Sequence, residues 1–179
     1  DEDILVLRDS GAAVVSCPES NMKLASGIAP LEKICSAGIP VALGTDSSAS
    51  NNNLDMFGEL ATGAKVHKAS TLDPTALPAG KIIEMVTSGG AGVLGMQEEC
   101  GLLKSGMLAD IIIIDLNKPH LTPRYESNSL LTYAATGSDV KTSIIGGRIV
   151  LENRLIQTID LQETIDKVNE MAKKIRSAI

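Results

Sequence analysis

Pro40-Val41-Ala42-Leu43-Gly44-Thr45-Asp46-Ser47 is the stretch that decides how this chain is read. A short apolar run closed by Gly predicts a buried strand. Asp46 then stands just past the strand's C-terminal end, ahead of the polar loop Ser48-Ala49-Ser50-Asn51-Asn52-Asn53. In α/β barrels, catalytic side chains stand at that end of the strands. A carboxylate there can ligate a metal and also handle a proton. It can equally cap the next helix or close an Asx turn. Position alone leaves the two readings evenly open.

Working outward, Ala12 to Cys17 reads as a second buried strand. Pro18 ends it, and Glu19-Ser20-Asn21 begins a polar loop. Pro30 to Ala37 is a helix with Pro near its start and Gly38 past its end, the expected asymmetry. Strand, loop, helix and strand in that order imply a βαβ unit with parallel pairing. Upstream, Asp1-Glu2-Asp3 forms the acidic first turn of a helix that runs to Ser10 and stops at Gly11. A chain that opens this way, without Met, is expected to be a fragment.

Downstream, a long helix is expected over Leu54 to Ala69. Pro74, Pro78 and Gly80 break the chain, and helices follow near Lys81–Thr87 and Ala91–Leu94, separated by Gly89-Gly90. From Gly101 the texture changes. Ile111 to Ile114 is a β run. Val140–Ile145 and Arg148–Glu152 predict a hairpin on Gly146-Gly147, with a second turn at Asn153-Arg154. Asp160 with Glu163 resembles a capping box at the start of a terminal helix. Its stripe Leu161, Ile165, Val168, Ala172 and Ile175 predicts core packing or a subunit contact.

Two regions emerge. Residues 1–98 read as the last βα units of a parallel α/β barrel. Residues 99–179 read as a β-rich sandwich part with helices. Two strands do not close a barrel of eight, so the expected fold class is α/β with an incomplete barrel.

Bulk composition narrows the function classes. The 179 residues carry a net charge of −6, which argues against nucleic acid and against an anionic membrane surface. Cys17, Cys35 and Cys100 are odd in number and widely spaced, which predicts reduced thiols and a cytoplasmic protein. No apolar run approaches 18 residues, and no GxGxxG or GxxxxGK[ST] offers a phosphate cradle.

Few residues are left to carry chemistry. His67 reads as a packed or surface helix residue and His120 as a loop or domain contact. Cys17 lacks an evident histidine base and reads as a small buried residue. Glu19 is a general-base candidate set against a solvated loop carboxylate. Ser20 and Asn21 are candidates to line a substrate pocket, against the plainer reading that they close the loop by hydrogen bonds. A catalytic zinc takes about three protein ligands, and no HxH or HxxEH supplies them.

Taken together, these residues resemble the amidohydrolase superfamily. Cys17-Pro18-Glu19-Ser20-Asn21-Met22-Lys23-Leu24-Ala25-Ser26-Gly27-Ile28-Ala29-Pro30 is similar to its strand-seven segment. Gly44-Thr45-Asp46-Ser47 with Asn51-Asn52-Asn53-Leu54-Asp55-Met56 is similar to its strand-eight segment. Thr75-Ala76-Leu77-Pro78-Ala79 and Gly101-Leu102-Leu103-Lys104-Ser105-Gly106-Met107-Leu108-Ala109-Asp110 continue the match. Pro119-His120-Leu121-Thr122-Pro123 resembles the 5-methylthioadenosine/S-adenosylhomocysteine deaminases in particular. The resemblance covers the chain except the terminal helix.

It implies a (β/α)8 barrel with a composite β-sandwich. It also implies a divalent metal, commonly zinc, that activates water for attack on an adenine ring carbon, with loss of ammonia. Asp46 matches the strand-eight aspartate, which binds the metal and the attacking water and counts among the substrate contacts. The superfamily's HxH pair, its other ligand histidines and its catalytic glutamate have no match, and neither His67 nor His120 maps onto them. The chain is therefore read as the C-terminal part of a deaminase acting on a small nucleoside, inactive by itself. Guanine deaminases and triazine or chlorohydrolase-like enzymes are the near alternatives. A non-catalytic association module is the distant one. Unpaired strand edges and apolar faces predict a homo-oligomer or self-association.

Overall fold

A computed structural model describes residues 2–178; Asp1, part of the expected acidic first turn, lies outside them. Helix α1 spans Glu2–Ser10 and ends at Gly11, whose φ of +71° suits a residue without Cβ. Its Ile4 and Leu7 pack on the core. Strands β1 (Val14–Ser16) and β2 (Val41–Leu43) pair in parallel, from Val14 opposite Val41 to Ser16 opposite Leu43. The intervening crossover carries helix α3 (Leu31–Ser36), as expected.

Pro18 does not open a loop. It is the first residue of helix α2, Pro18–Lys23, so Glu19, Ser20 and Asn21 are helical. At that position the missing N–H of proline has no intrahelical partner to lose, and its fixed φ already suits the helix. The strand therefore passes into a helix with only Cys17 between.

Helix α4 (Met56–Thr71) starts where the Asp55 carboxylate accepts the Phe57 N–H at 2.9 Å. Helices α5 (Ala79–Val86) and α6 (Ser88–Val93) follow. Gly89 and Gly90 lie inside α6 instead of separating two helices. The reason is close approach. A Cβ built on Gly89 would stand 2.8 Å from the Glu84 carbonyl oxygen and 3.3 Å from that of Val41. Glycine thus lets α6 press on both α5 and β2. The core forms where β2 meets these helices, around Leu31, Val41, Leu43, Leu60, Ile82 and Met85.

The second sheet is antiparallel, in the order β3 (Ile111–Ile114), β4 (Val140–Ile145), β5 (Arg148–Glu152) and β6 (Leu155–Ile156). Gly146 and Gly147 turn the β4–β5 hairpin with φ of +55° and +78°, and Asn153-Arg154 turn the next one. Between β3 and β4, helix α7 (Ser127–Tyr133) returns to pack on α4 and α5, and its Tyr133 joins the core. The final helix α8 (Leu161–Ser177) is capped by Asp160, which accepts the Glu163 N–H, while the Glu163 side chain pairs with Lys167. Its stripe residues Leu161, Ile165, Val168 and Ile175 are 44–60% exposed. Among the described residues no helix is long and apolar enough to cross a membrane.

Candidate active site

Parallel pairing of β1 and β2 brings their C-terminal ends side by side, with Gly44 N–H donating to the Ser16 carbonyl at 2.9 Å. The segments that leave those ends, residues 17–20 and 44–50, form the site. Asp46 has φ of +61°, in the left-handed region that Asp tolerates better than most residues. Its Oδ2 accepts two hydroxyl bonds, from Ser20 Oγ at 2.8 Å and Ser50 Oγ at 2.7 Å. Both serines are buried, whereas Asp46 is exposed. The Ser50 and Ser20 hydroxyls, with the Ser47 N–H, hold the Asp46 carboxyl below the usual carboxylate range. Hydrogen bonds to the charged form have that effect, so Asp46 is an anion at neutral pH.

The loop after β2 is itself fixed. Ser50 and Asn51 donate their N–H groups to the Ser47 carbonyl, and Lys23 Nζ on α2 donates to Ala49 O and Asn52 Oδ1. Behind the loop lies a polar cluster. Glu59 on α4 has no exposed surface. Its Oε1 accepts Asn51 Nδ2 at 2.6 Å, and its Oε2 accepts the Glu19 N–H at 3.1 Å. The Glu19 carboxylate accepts Thr62 Oγ1 at 3.2 Å and lies over Gly58, where a Cβ would come within 2.8 Å of it. Burial pushes the Glu59 carboxyl above its usual value, and the nearby Glu19 charge adds to the rise, against the Glu19 and Asn51 hydrogen bonds.

The candidates from the sequence fall into three groups. Ser20 meets Asp46. Asn21, one residue on, instead lines a small crevice with Ser16, Met22, Ile28 and His67. Glu19 is a half-buried helix residue tied to α4, which corrects its reading as a solvated loop carboxylate. Burial pushes the Cys17 thiol up, with the Asp46 and Glu59 charges adding to it, which keeps it protonated and agrees with its reading as a small packed residue. His67 is buried in α4, and that burial lowers its pKa. His120 lies elsewhere, with Nε2 3.0 Å from Asp139 Oδ2. Ser50, Asn51 and Glu59 were missed. The spacing Asp46-x-x-x-Ser50 is a weak local signal for the first. Nothing local marks Glu59, which reaches the loop only through the fold.

The donor chemistry at Asp46 suits a divalent cation, since an ionised, exposed carboxylate with one oxygen fixed is a hard oxygen ligand. Among the described residues, no group of three or more His, Cys, Asp or Glu side chains is placed to hold an ion. Asp46 by itself is one oxygen donor, not a full coordination shell.

Comparison with known proteins bears on this arrangement. The family model described as "Amidohydrolase family" matches residues 1–150. The chain is 52% identical over 176 residues to a 5-methylthioadenosine/S-adenosylhomocysteine deaminase of Syntrophobacter fumaroxidans, covering 98% of this chain and 40% of that protein. It is 49% identical over 175 residues to a 5'-deoxyadenosine deaminase of Methanosarcina mazei, again covering 98% and 40%. Among solved structures, an adenosine deaminase from Xanthomonas campestris with bound zinc aligns with a TM-score of 0.94 at 36% identity, over 98% of this chain and 40% of that one. The chain therefore spans about 40% of the length of the relatives it matches. With the family model covering most of its length and the loop after β2 carrying a hydroxyl-bound aspartate, the chain belongs to the amidohydrolase family.

Proposed function

We propose that the protein containing this chain deaminates an adenosine-type nucleoside, 5-methylthioadenosine or S-adenosylhomocysteine, by hydrolysis. In this reading the chain supplies the last βα units of the barrel, and further ligands come from outside it. The carrying observation is the Asp46 carboxylate at the end of β2, with Oδ2 gripped by two buried hydroxyls. The names of the relatives about 50% identical support the substrate class.

A divalent cation, zinc in the first instance, supplies the Lewis acidity that lowers the pKa of water to near neutrality. Asp46 is the residue of this chain that would hold it. Neither serine bonds Oδ1, so that oxygen is the place where Asp46 carries a proton from the attacking water towards the departing amine. In net terms, the ring C–NH2 and water become a ring carbonyl and ammonia. Ser20 and Ser50 keep the carboxylate in one orientation throughout. The free thiols of Cys17, Cys35 and Cys100 support a reducing, cytoplasmic setting.

The test is a substrate panel on the zinc-loaded full-length protein: 5-methylthioadenosine, S-adenosylhomocysteine, 5'-deoxyadenosine, guanine and an s-triazine. Ammonia release from the adenosine derivatives is expected. Asp46→Asn should lower kcat by at least ~10³-fold with the melting temperature little changed. Turnover of only guanine or the triazine, or full activity in Asp46→Asn, would overturn the assignment.

A further inference from the structure

Both grips on Asp46 trace back to one buried carboxylate. Ser20 and Ser50 donate to Asp46 Oδ2 from two different segments. The residue next to each serine is bonded to Glu59: Glu19 through its backbone N–H to Oε2, and Asn51 through its side-chain amide to Oε1. Asn51 Oδ1 in turn accepts the Leu54 N–H at 2.7 Å, so the loop is tied at both ends of that side chain. Glu59 has no exposed surface, so it has no route to a substrate or to water.

A buried carboxylate on a core-facing helix is costly, and an apolar residue of similar volume would pack more cheaply. Each Glu59 oxygen nonetheless accepts a hydrogen bond, and the two are divided between the two segments that carry the serines. A packing residue would have no cause to divide them so.

We propose that Glu59 is a positioning residue, which holds the N-terminal turn of α2 and the loop after β2 in register so that the Ser20 and Ser50 hydroxyls meet on one oxygen of Asp46. For catalysis, this rests on the reading of Asp46 as the metal-binding and proton-carrying carboxylate.

Two measurements test it, and the first needs no activity. Glu59→Gln keeps the volume but offers one acceptor where two N–H donors converge, so one arm must be lost. Hydrogen exchange on the full-length protein should then quicken about tenfold at the Asn51 and Asn52 amides and in α2, with β2 and α5 unchanged. Unchanged exchange in those segments, or a uniform rise everywhere, would overturn the proposal. If Glu59→Gln does not fold, Asn51→Ala is read instead; it should quicken the loop amides alone, and an unchanged loop refutes the relay.

The second measurement is a mutant cycle in the zinc-loaded full-length protein. Glu59→Gln should lower kcat about 10- to 100-fold with KM little changed. The pair Ser20→Ala/Ser50→Ala should do the same, and the triple variant should be no worse than the pair. Losses that multiply in full mean that Glu59 acts by another route, which overturns the proposal. A wild-type protein inactive on every nucleoside removes the functional reading, and the exchange result still decides the positioning role.

Discussion

Asp46 could not be told from a turn residue by its position in the chain. Its environment adds two buried hydroxyls aimed at one oxygen, more than a solvated Asx turn needs, and this supports the proposed role. Asp139 shows the same physics in a structural setting. It is 3% exposed, and Oδ2 takes His120 Nε2, the Thr136 N–H and the Thr136 hydroxyl. Burial pushes its carboxyl up, but these bonds outweigh burial and hold it below the usual range. A depressed folded value means that its stabilisation is complete above the ordinary carboxylate pKa and is lost as pH falls through the depressed value. Asp139→Asn should therefore cost about 1–3 kcal/mol near neutrality. The gap from wild type should close in acid, as read by urea denaturation across a pH series. A constant gap from neutral to strongly acid pH would contradict this account of Asp139.

At the scale of elements, the two misread segments share a cause. Pro18 and Gly89-Gly90 look like breakers in one dimension, yet both sit inside helices. Proline is harmless at a first helical position, and glycine is tolerated where another backbone comes close. That distinction yields a paired prediction within α6. Gly89→Ala gains up to about 1 kcal/mol of helix propensity but crowds two backbone carbonyls, a strain of about 1–3 kcal/mol. It should lower Tm. Gly92→Ala meets nothing within 4 Å and should raise Tm or leave it unchanged. Scanning calorimetry on the two variants decides, and a rise for Gly89→Ala would refute the close-approach reading. The periodic elements gave no such trouble: α4 and the β4–β5 hairpin follow from local patterning because their signals are carried by neighbours in sequence.

At the scale of the whole molecule, the antiparallel sheet is tied back to the parallel one. Asp55 Oδ1 caps α4 through Phe57 N–H, while its Oδ2 accepts the Gly137 N–H from 82 residues downstream. Apolar surface remains between the two sheets, in an open groove lined by Leu60, Val86, Leu94, Leu103, Ile112 and Leu131. Leu94 and Leu103 are 73% and 84% exposed. Exposed apolar area of this kind drives association, so the isolated chain should scatter light as a species heavier than 18.7 kDa. A clean monomer over a wide concentration range would count against this. Read by itself, the sequence determined the fold class, the parallel strand pair, the hairpin and the position of Asp46 at a strand end. Those depend on hydrophobic period, turn residues and spacing, which are local. Only the tertiary structure decided that Glu19 is held on a helix, that Asn21 lines a crevice with His67, and that Glu59 bonds both segments whose serines meet on Asp46. The bonds that tie α2 to Asp46 and to α4 join residues 26 to 43 positions apart, and such contacts leave no periodic mark along the chain.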